Sequence, residues 1–197
     1  MNAKMFWELI ENTRTKVKLF DDEDYLAFQN ELITRLAKME VDEIIKWHQI
    51  FFEYHKLAYK KKVWAAAYVI NGGCSDDWFD YFRAWLIAQG HSVFMRTLRS
   101  PDSLSDVEEA CENETFFEEM LSVSLLAFQR KKGCTGQLNS FEYDCDLFEA
   151  ELRCSYLSDE EKLLIASEPI FDDEIDKEWS EDDLKSLVPK LCNKFDW

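Results

Sequence analysis

The stretch Trp64–Gly90, WAAAYVINGGCSDDWFDYFRAWLIAQG, sets the tightest limit on what this chain can fold into. Two apolar runs at helical spacing are joined by Asn71-Gly72-Gly73, residues that reach the positive φ angles needed to stop one helix and reverse the chain. Ala65, Ala66 and Ala67 leave room for a neighbouring helix to approach the first run. Ser75 is a natural N-cap for the second, and Asp76 and Asp77 then sit in its first turn, where the helix dipole favours negative charge. Asp76, Asp80 and Arg83 fall four and then three residues apart, on one face, and Asp80 can pair with Arg83. Phe79, Phe82, Trp85, Leu86 and Ile87 cover most of the remaining circumference, which predicts a helix at the centre of the fold.

The rest of the chain reads as further helices. Residues 3–14 place Met5, Phe6, Leu9 and Ile10 along one side, residues 22–39 align Tyr25, Phe28, Leu32, Leu36 and Met39, and residues 42–59 align Ile44, Trp47, Phe51 and His55. Lys60, Lys61 and Lys62 suit a helix C-terminus, where cations meet the dipole. Pro101 suits the first turn of a short helix running to Cys111, and residues 115–131 predict one strong helix. Ser158 stands three residues before Glu161, and Ser180 three before Asp183, both capping patterns. Leu184, Leu187, Val188 and Leu191 then point inward, with Pro189 ending, kinking or restarting that helix. Only five Gly and three Pro occur in 197 residues, too few for the tight turns of an all-β fold. The expected class is all-α, a compact multi-helix domain with little or no sheet. Residues 1–133 form its helical core; residues 134–197 are an acidic extension whose last helix packs back. The loop KGCTGQLNS at 132–140 is the best linker.

Charge divides the chain at its middle. Residues 1–100 carry fourteen acids and fourteen Lys or Arg, whereas residues 101–197 carry twenty-six acids against nine bases, the whole of the net charge of −17. Such a half repels the phosphate backbone, so no nucleic-acid partner is expected, and mimicry of nucleic acid ranks last. It suits docking of a basic protein, because complementary fields speed encounter and select partners. No apolar run approaches a membrane span, and MNAKMFWELIENTR lacks the pattern of a signal peptide, so a cytoplasmic location without membrane contact is expected.

Six cysteines, at 74, 111, 134, 145, 154 and 192, form no C-x-x-C pair and read as free thiols. His48 and His55, on an apolar helix face, read as core-edge residues, and no metal or cofactor pattern emerges. No nucleophile–base arrangement or phosphate-binding loop marks a catalytic residue. The one constellation that could carry chemistry is the glycine turn. Gly72, Gly73, Cys74, Ser75, Asp76, Asp77, Asp80, Arg83 and Trp85 are its candidate residues. Capping accounts for most of them. Alternatively Asp76, Asp77 and Asp80 present carboxylates at the floor of a cleft, Arg83 offers an anion-binding fork, and the helix N-terminus acidifies Cys74.

The same residues carry a resemblance. WAAAYVINGGCSDDWFDYFRAWLIAQG is similar to the signature of a bacterial family catalogued as domain of unknown function 4240. FWELIE near the start, PDSL at 101–104, and the late W-x-x-x-D-L with Pro189-Lys190-Leu191 resemble its other recurring pieces. The resemblance implies one compact domain over roughly residues 1–133 with a tail packed against it, and it implies no activity. It adds Trp64, Tyr68, Phe79 and Phe82 to the residues of interest, and Cys192 departs from the aromatic residue it leads one to expect. Two functions of different class follow as expectations. One is a protein-binding module, of the immunity or antitoxin kind, that meets a basic partner through its acidic half. The other is a small-molecule or metal site, an enzyme in its strongest form, at the Gly72–Arg83 turn. Self-association through an apolar patch is compatible with so many Trp and Phe residues.

Overall fold

In a computed structural model the described residues are 1–133, 140–154 and 156–197; the side chains of 140–144 are not included. Helices α1 (Ala3–Arg14), α2 (Asp22–Leu36), α3 (Val41–Leu57), α4 (Lys61–Ile70), α5 (Asp76–Ala88), α6 (His91–Arg99), α7 (Val123–Lys132), α8 (Ser140–Cys154), α9 (Asp159–Ser167), α10 (Leu184–Leu187) and α11 (Pro189–Lys194) follow one another, with no strand among the described residues. The protein is all-α. Most of the expected linker at 132–140, Cys134 included, lies outside the described residues.

Polar side chains at the helix starts satisfy N–H groups that have no partner within the helix. Asn2 accepts from Met5 N at 3.0 Å, Asp21 from Asp24 N at 3.0 Å and Ser75 from Trp78 N at 3.3 Å. The two capping patterns of the acidic half are formed: Glu161 N donates to Ser158 Oγ at 3.2 Å, and Ser180 N to Asp183 Oδ2 at 2.9 Å. Pro189 opens α11 after α10 has ended at Leu187, and the Asp102 carboxylate accepts from Lys190 N and Leu191 N at 3.2 and 2.9 Å. Two sequence pieces that resembled the family's, PDSL and Pro-Lys-Leu, therefore meet in space.

Helix α3 lies at the middle, packed against α1, α5, α7, α8 and α9. Phe79, Phe82, Trp85, Leu86 and Ile87 of α5 are all fully buried, as their spacing predicts. A run of rings from Trp64 through Phe79 and Phe82 to Trp85, with centroids 4.7, 6.3 and 5.5 Å apart, links α4 to α5. One cluster of buried apolar residues extends from Phe6 to Cys192, so the C-terminal segment shares the core of the N-terminal one.

Three local expectations change. The helix expected over 101–111 is a 3-10 turn, Pro101–Asp106, after which Glu109 is pulled inward to Arg14 at 2.9 Å and the chain cannot continue helically. Similarly, 115–117 are held away from helical geometry: Phe117 N donates to Tyr81 O at 3.2 Å while its ring stacks on Tyr25 at 4.8 Å. Helical structure starts as a 3-10 turn at Glu118 and becomes α7 at Val123.

The third change concerns the lysines. Lys60 is the N-cap residue of α4 and Lys61 and Lys62 form its first turn, the end where the dipole disfavours cations. The compensation comes from the acidic extension. Lys60 pairs with Asp176 at 2.7 Å, Lys61 with Glu178, and Lys62 with Asp172 at 3.0 Å. Lys62 N also donates to Ile175 O, and Trp179 Nε1 to Lys61 O. The pairs differ in depth: the Lys62 and Asp172 side chains are 13% and 20% exposed, those of Lys61 and Glu178 42% and 85%. Lys62→Gln is therefore expected to cost about 1–2 kcal/mol and Lys61→Gln under about 0.5 kcal/mol. Urea unfolding of the two variants checks the order. Equal costs would show that burial does not rank these pairs.

Candidate functional site

The glycine turn comes first because the sequence points to it. Gly72 and Gly73 have φ of 65° and 140°, conformations that side chains resist, and Gly73 N closes the end of α4 on Tyr68 O at 2.9 Å. The turn is tied to distant segments by its polar groups. Trp64 Nε1 donates to Cys74 O at 2.9 Å, Thr115 Oγ1 to Asn71 Oδ1 at 2.8 Å, and Trp197 Nε1 to Val69 O at 2.7 Å. Ser75 caps α5, as expected.

The candidate carboxylates do not converge. Asp76 and Asp77 are exposed; Asp76 lies near the Cys74 thiol, Asp77 near the Tyr81 phenol, and Asp80 turns to Arg83. Cys74 is not acidified: burial, opposed by Trp64 and reinforced by Asp76, pushes its thiol up to about 12. Trp85 is fully buried in the core. Among the described residues no group of three or more His, Cys, Asp and Glu has an arrangement that could hold a metal ion.

Arg83 is the hub of a buried network. It is 5% exposed, donates to Asp80 Oδ1, and donates through Nη1 to His55 O at 2.8 Å and His55 Nδ1 at 3.1 Å. His55 Nε2 lies 2.9 Å from Asp80 O. Since Nδ1 faces a donor and Nε2 an acceptor, the network assigns His55 the neutral tautomer protonated on Nε2. Burial, and then the charge of Arg83, hold the His55 ring down at about 3. Burial likewise lowers Arg83 to about 10. The guanidinium lies against the adjoining rings of Tyr59 and Phe79, 4.8 and 5.1 Å from their centroids, which are themselves 5.6 Å apart. The arrangement locks α3 to α5.

A different surface has the shape of a site. Between α1 and α9 lies a hollow of about 430 Å³ walled by Ala3, Ile50, Leu157, Leu164 and Ile165, with Lys4, Glu161 and Glu168 at its edge. A second hollow, of about 480 Å³, shares Lys4 and Glu168 and adds Trp7, Glu8, Glu11 and His91. Glu168 holds the junction: one oxygen accepts from the buried Tyr54 hydroxyl, and the other lies 2.8 Å from His91 Nε2. The His91 ring packs edge-on against Trp7 at 5.2 Å, and His91 N donates to Glu11 Oε1 at 3.0 Å. Beside the first hollow, Leu163 and Leu164 of α9 are 69% and 64% exposed, with Tyr156 and Ile170 equally open before and after the helix.

Sequence reasoning missed this groove because its walls come from α1, α3, α6 and α9, far apart in the chain. One local signal existed: the adjacent leucines Leu163 and Leu164 in SDEEKLLIAS cannot both face the core from a short helix.

No helix among the described residues is long and apolar enough to cross a membrane. Comparison with known proteins returns no matching curated protein and no matching solved structure. A family model does match, over residues 1–130, and those residues include α1, the glycine turn and the Arg83 network. The chain belongs to the family described as protein of unknown function (DUF4240).

Proposed function

We propose that this chain is a cytoplasmic protein-binding module whose acidic second half docks a basic partner. The observation that carries the reading is the face of α9. Leu163, Leu164, Tyr156 and Ile170 are each about two-thirds exposed, beside Asp159, Glu160 and Glu161 in the first turn of the same helix. Exposed apolar side chains beside an excess of acids have the composition of an interface with an oppositely charged protein, and of the three acids Glu161 is already paired with Lys46 at 3.9 Å. The acids of 172–178 contribute less to that field, because Lys60, Lys61 and Lys62 already neutralise three of them.

The test is capture on the immobilised protein at low and at high salt, with the charge-reversed variant Asp159→Lys/Glu160→Lys alongside. A partner of basic isoelectric point is expected, lost at high salt and weakened about tenfold or more by the reversal. Retention that is indifferent to both salt and reversal would overturn the reading.

A further inference from the structure

We infer that the groove between α1 and α9 seats a helical segment of the basic partner, one that presents an apolar side chain and an arginine or lysine one turn apart. The inference rests on the basic-partner reading and adds where the partner binds and what it must carry. The two hollows differ in chemistry. The first is walled by aliphatic side chains and is large enough for a leucine or methionine side chain. The second has Glu8, Glu11 and Glu168 around the Trp7 and His91 rings, a seat for a cation.

Their separation fits a helix. Along α1 the first hollow touches Ala3 and the second begins at Trp7 and Glu8 and runs on to Glu11 and Asn12, while Lys4 borders both. The step from Ala3 to Trp7 is one helical turn, about 6 Å, and side chains four apart on an occupant helix lie at the same spacing. Anchors repeating at that interval are how an amphipathic helix engages a groove.

Charge selects the occupant. A second copy of this chain would bring another net charge of −17 and set the Asp159–Glu161 turn of its α9 against its twin. A cationic segment meets Glu8, whose present partner Lys4 stands at 3.7 Å with both side chains more than half exposed. Such a contact yields to a competitor at little cost.

The experiment measures binding of synthetic alanine-rich helical peptides to the full chain by fluorescence anisotropy. One peptide carries Leu and Arg four residues apart; the controls replace Arg by Glu, or Leu by Ala. The Leu/Arg peptide is expected to bind at micromolar affinity, with both controls about tenfold weaker or worse. Leu164→Asp and Glu8→Arg are each expected to weaken it about tenfold, and Trp78→Ala, an exposed residue of α5 that lines neither hollow, to leave it within about twofold. Both groove positions are exposed, so these variants should keep the circular dichroism and melting temperature of the parent. Equal binding of the Leu/Glu peptide, or unchanged binding by Leu164→Asp, would overturn the groove assignment. A basic protein still captured at low salt by Leu164→Asp would remove the groove and leave the basic-partner reading standing. Peptide binding without any salt-sensitive protein partner would do the reverse.

Discussion

Acidification from about pH 7 to about pH 4.5 is expected to cost the protein on the order of 5 kcal/mol of stability, through two histidines. His48 and His55 are held neutral in the fold. Burial takes His48 down to about 4; burial and then Arg83 take His55 to about 3. The His48 ring lies between Phe52 and Phe148 and contacts Ser124 Oγ at 2.8 Å, and His55 is 7% exposed. Both groups titrate in the unfolded chain near 6.5, the ordinary value of an imidazole. Their folded values are depressed, so the stability they contribute is complete above pH 6.5 and falls as the pH drops from there toward 4. In that window the unfolded chain binds the extra protons, and each ring contributes a slope of about 1.4 kcal/mol per pH unit. Glu31, Glu109, Glu161 and Asp183 are also depressed, but from the ordinary carboxylate values of 4.5 and 3.8, so their losses add only at lower pH. Neutralising part of the acidic surface acts the other way by relieving self-repulsion. The variant His48→Gln/His55→Gln shares that background and lacks the two titrations. Urea midpoints of parent and variant across pH 7.5 to 4.5 therefore isolate the effect. Parallel curves would refute it.

What the sequence made legible was local, and it was legible where one residue type answers one backbone need. Gly72 and Gly73 adopt positive φ, Ser75 and Ser158 cap, Pro189 restarts a helix, and the aromatic face of α5 is buried, because each outcome is set within one helical turn. The errors arose where distant groups decide. Glu109 leaves helical geometry to reach Arg14, Phe117 is held by Tyr81 and Tyr25, and Lys60–Lys62 tolerate the wrong end of a helix because Asp172, Asp176 and Glu178 arrive from over a hundred residues away. No periodicity encodes those meetings. The candidate site divides in the same way. Pairing of Asp80 with Arg83 follows from their spacing, but the role of His55, twenty-eight residues earlier, and the packing of the Tyr59 and Phe79 rings against the guanidinium do not.

That network sets the second large effect. Arg83→Ala is expected to cost about 3–5 kcal/mol, and Arg83→Met about 2–3 kcal/mol. Removing the guanidinium leaves His55 O and Nδ1 without their donor in a buried site, and alanine adds a cavity against the Tyr59 and Phe79 rings, which methionine partly fills. Asp80→Ala, by contrast, should cost about 1 kcal/mol or less, because the Asp80 carboxylate is half exposed. The ordering separates the two roles available to an arginine in the family motif. An arginine kept for an anionic ligand is a buried charge waiting for its counter-ion, and its replacement by methionine relieves the desolvation that has lowered it to about 10. An arginine that joins α3 to α5 loses three hydrogen bonds and two ring faces, more than that relief returns. Thermal and urea unfolding of Arg83→Met decides between them. Destabilisation identifies Arg83 as the strut of the motif, whereas a variant as stable as its parent, or more so, would return the Gly72–Arg83 turn to consideration as a ligand site.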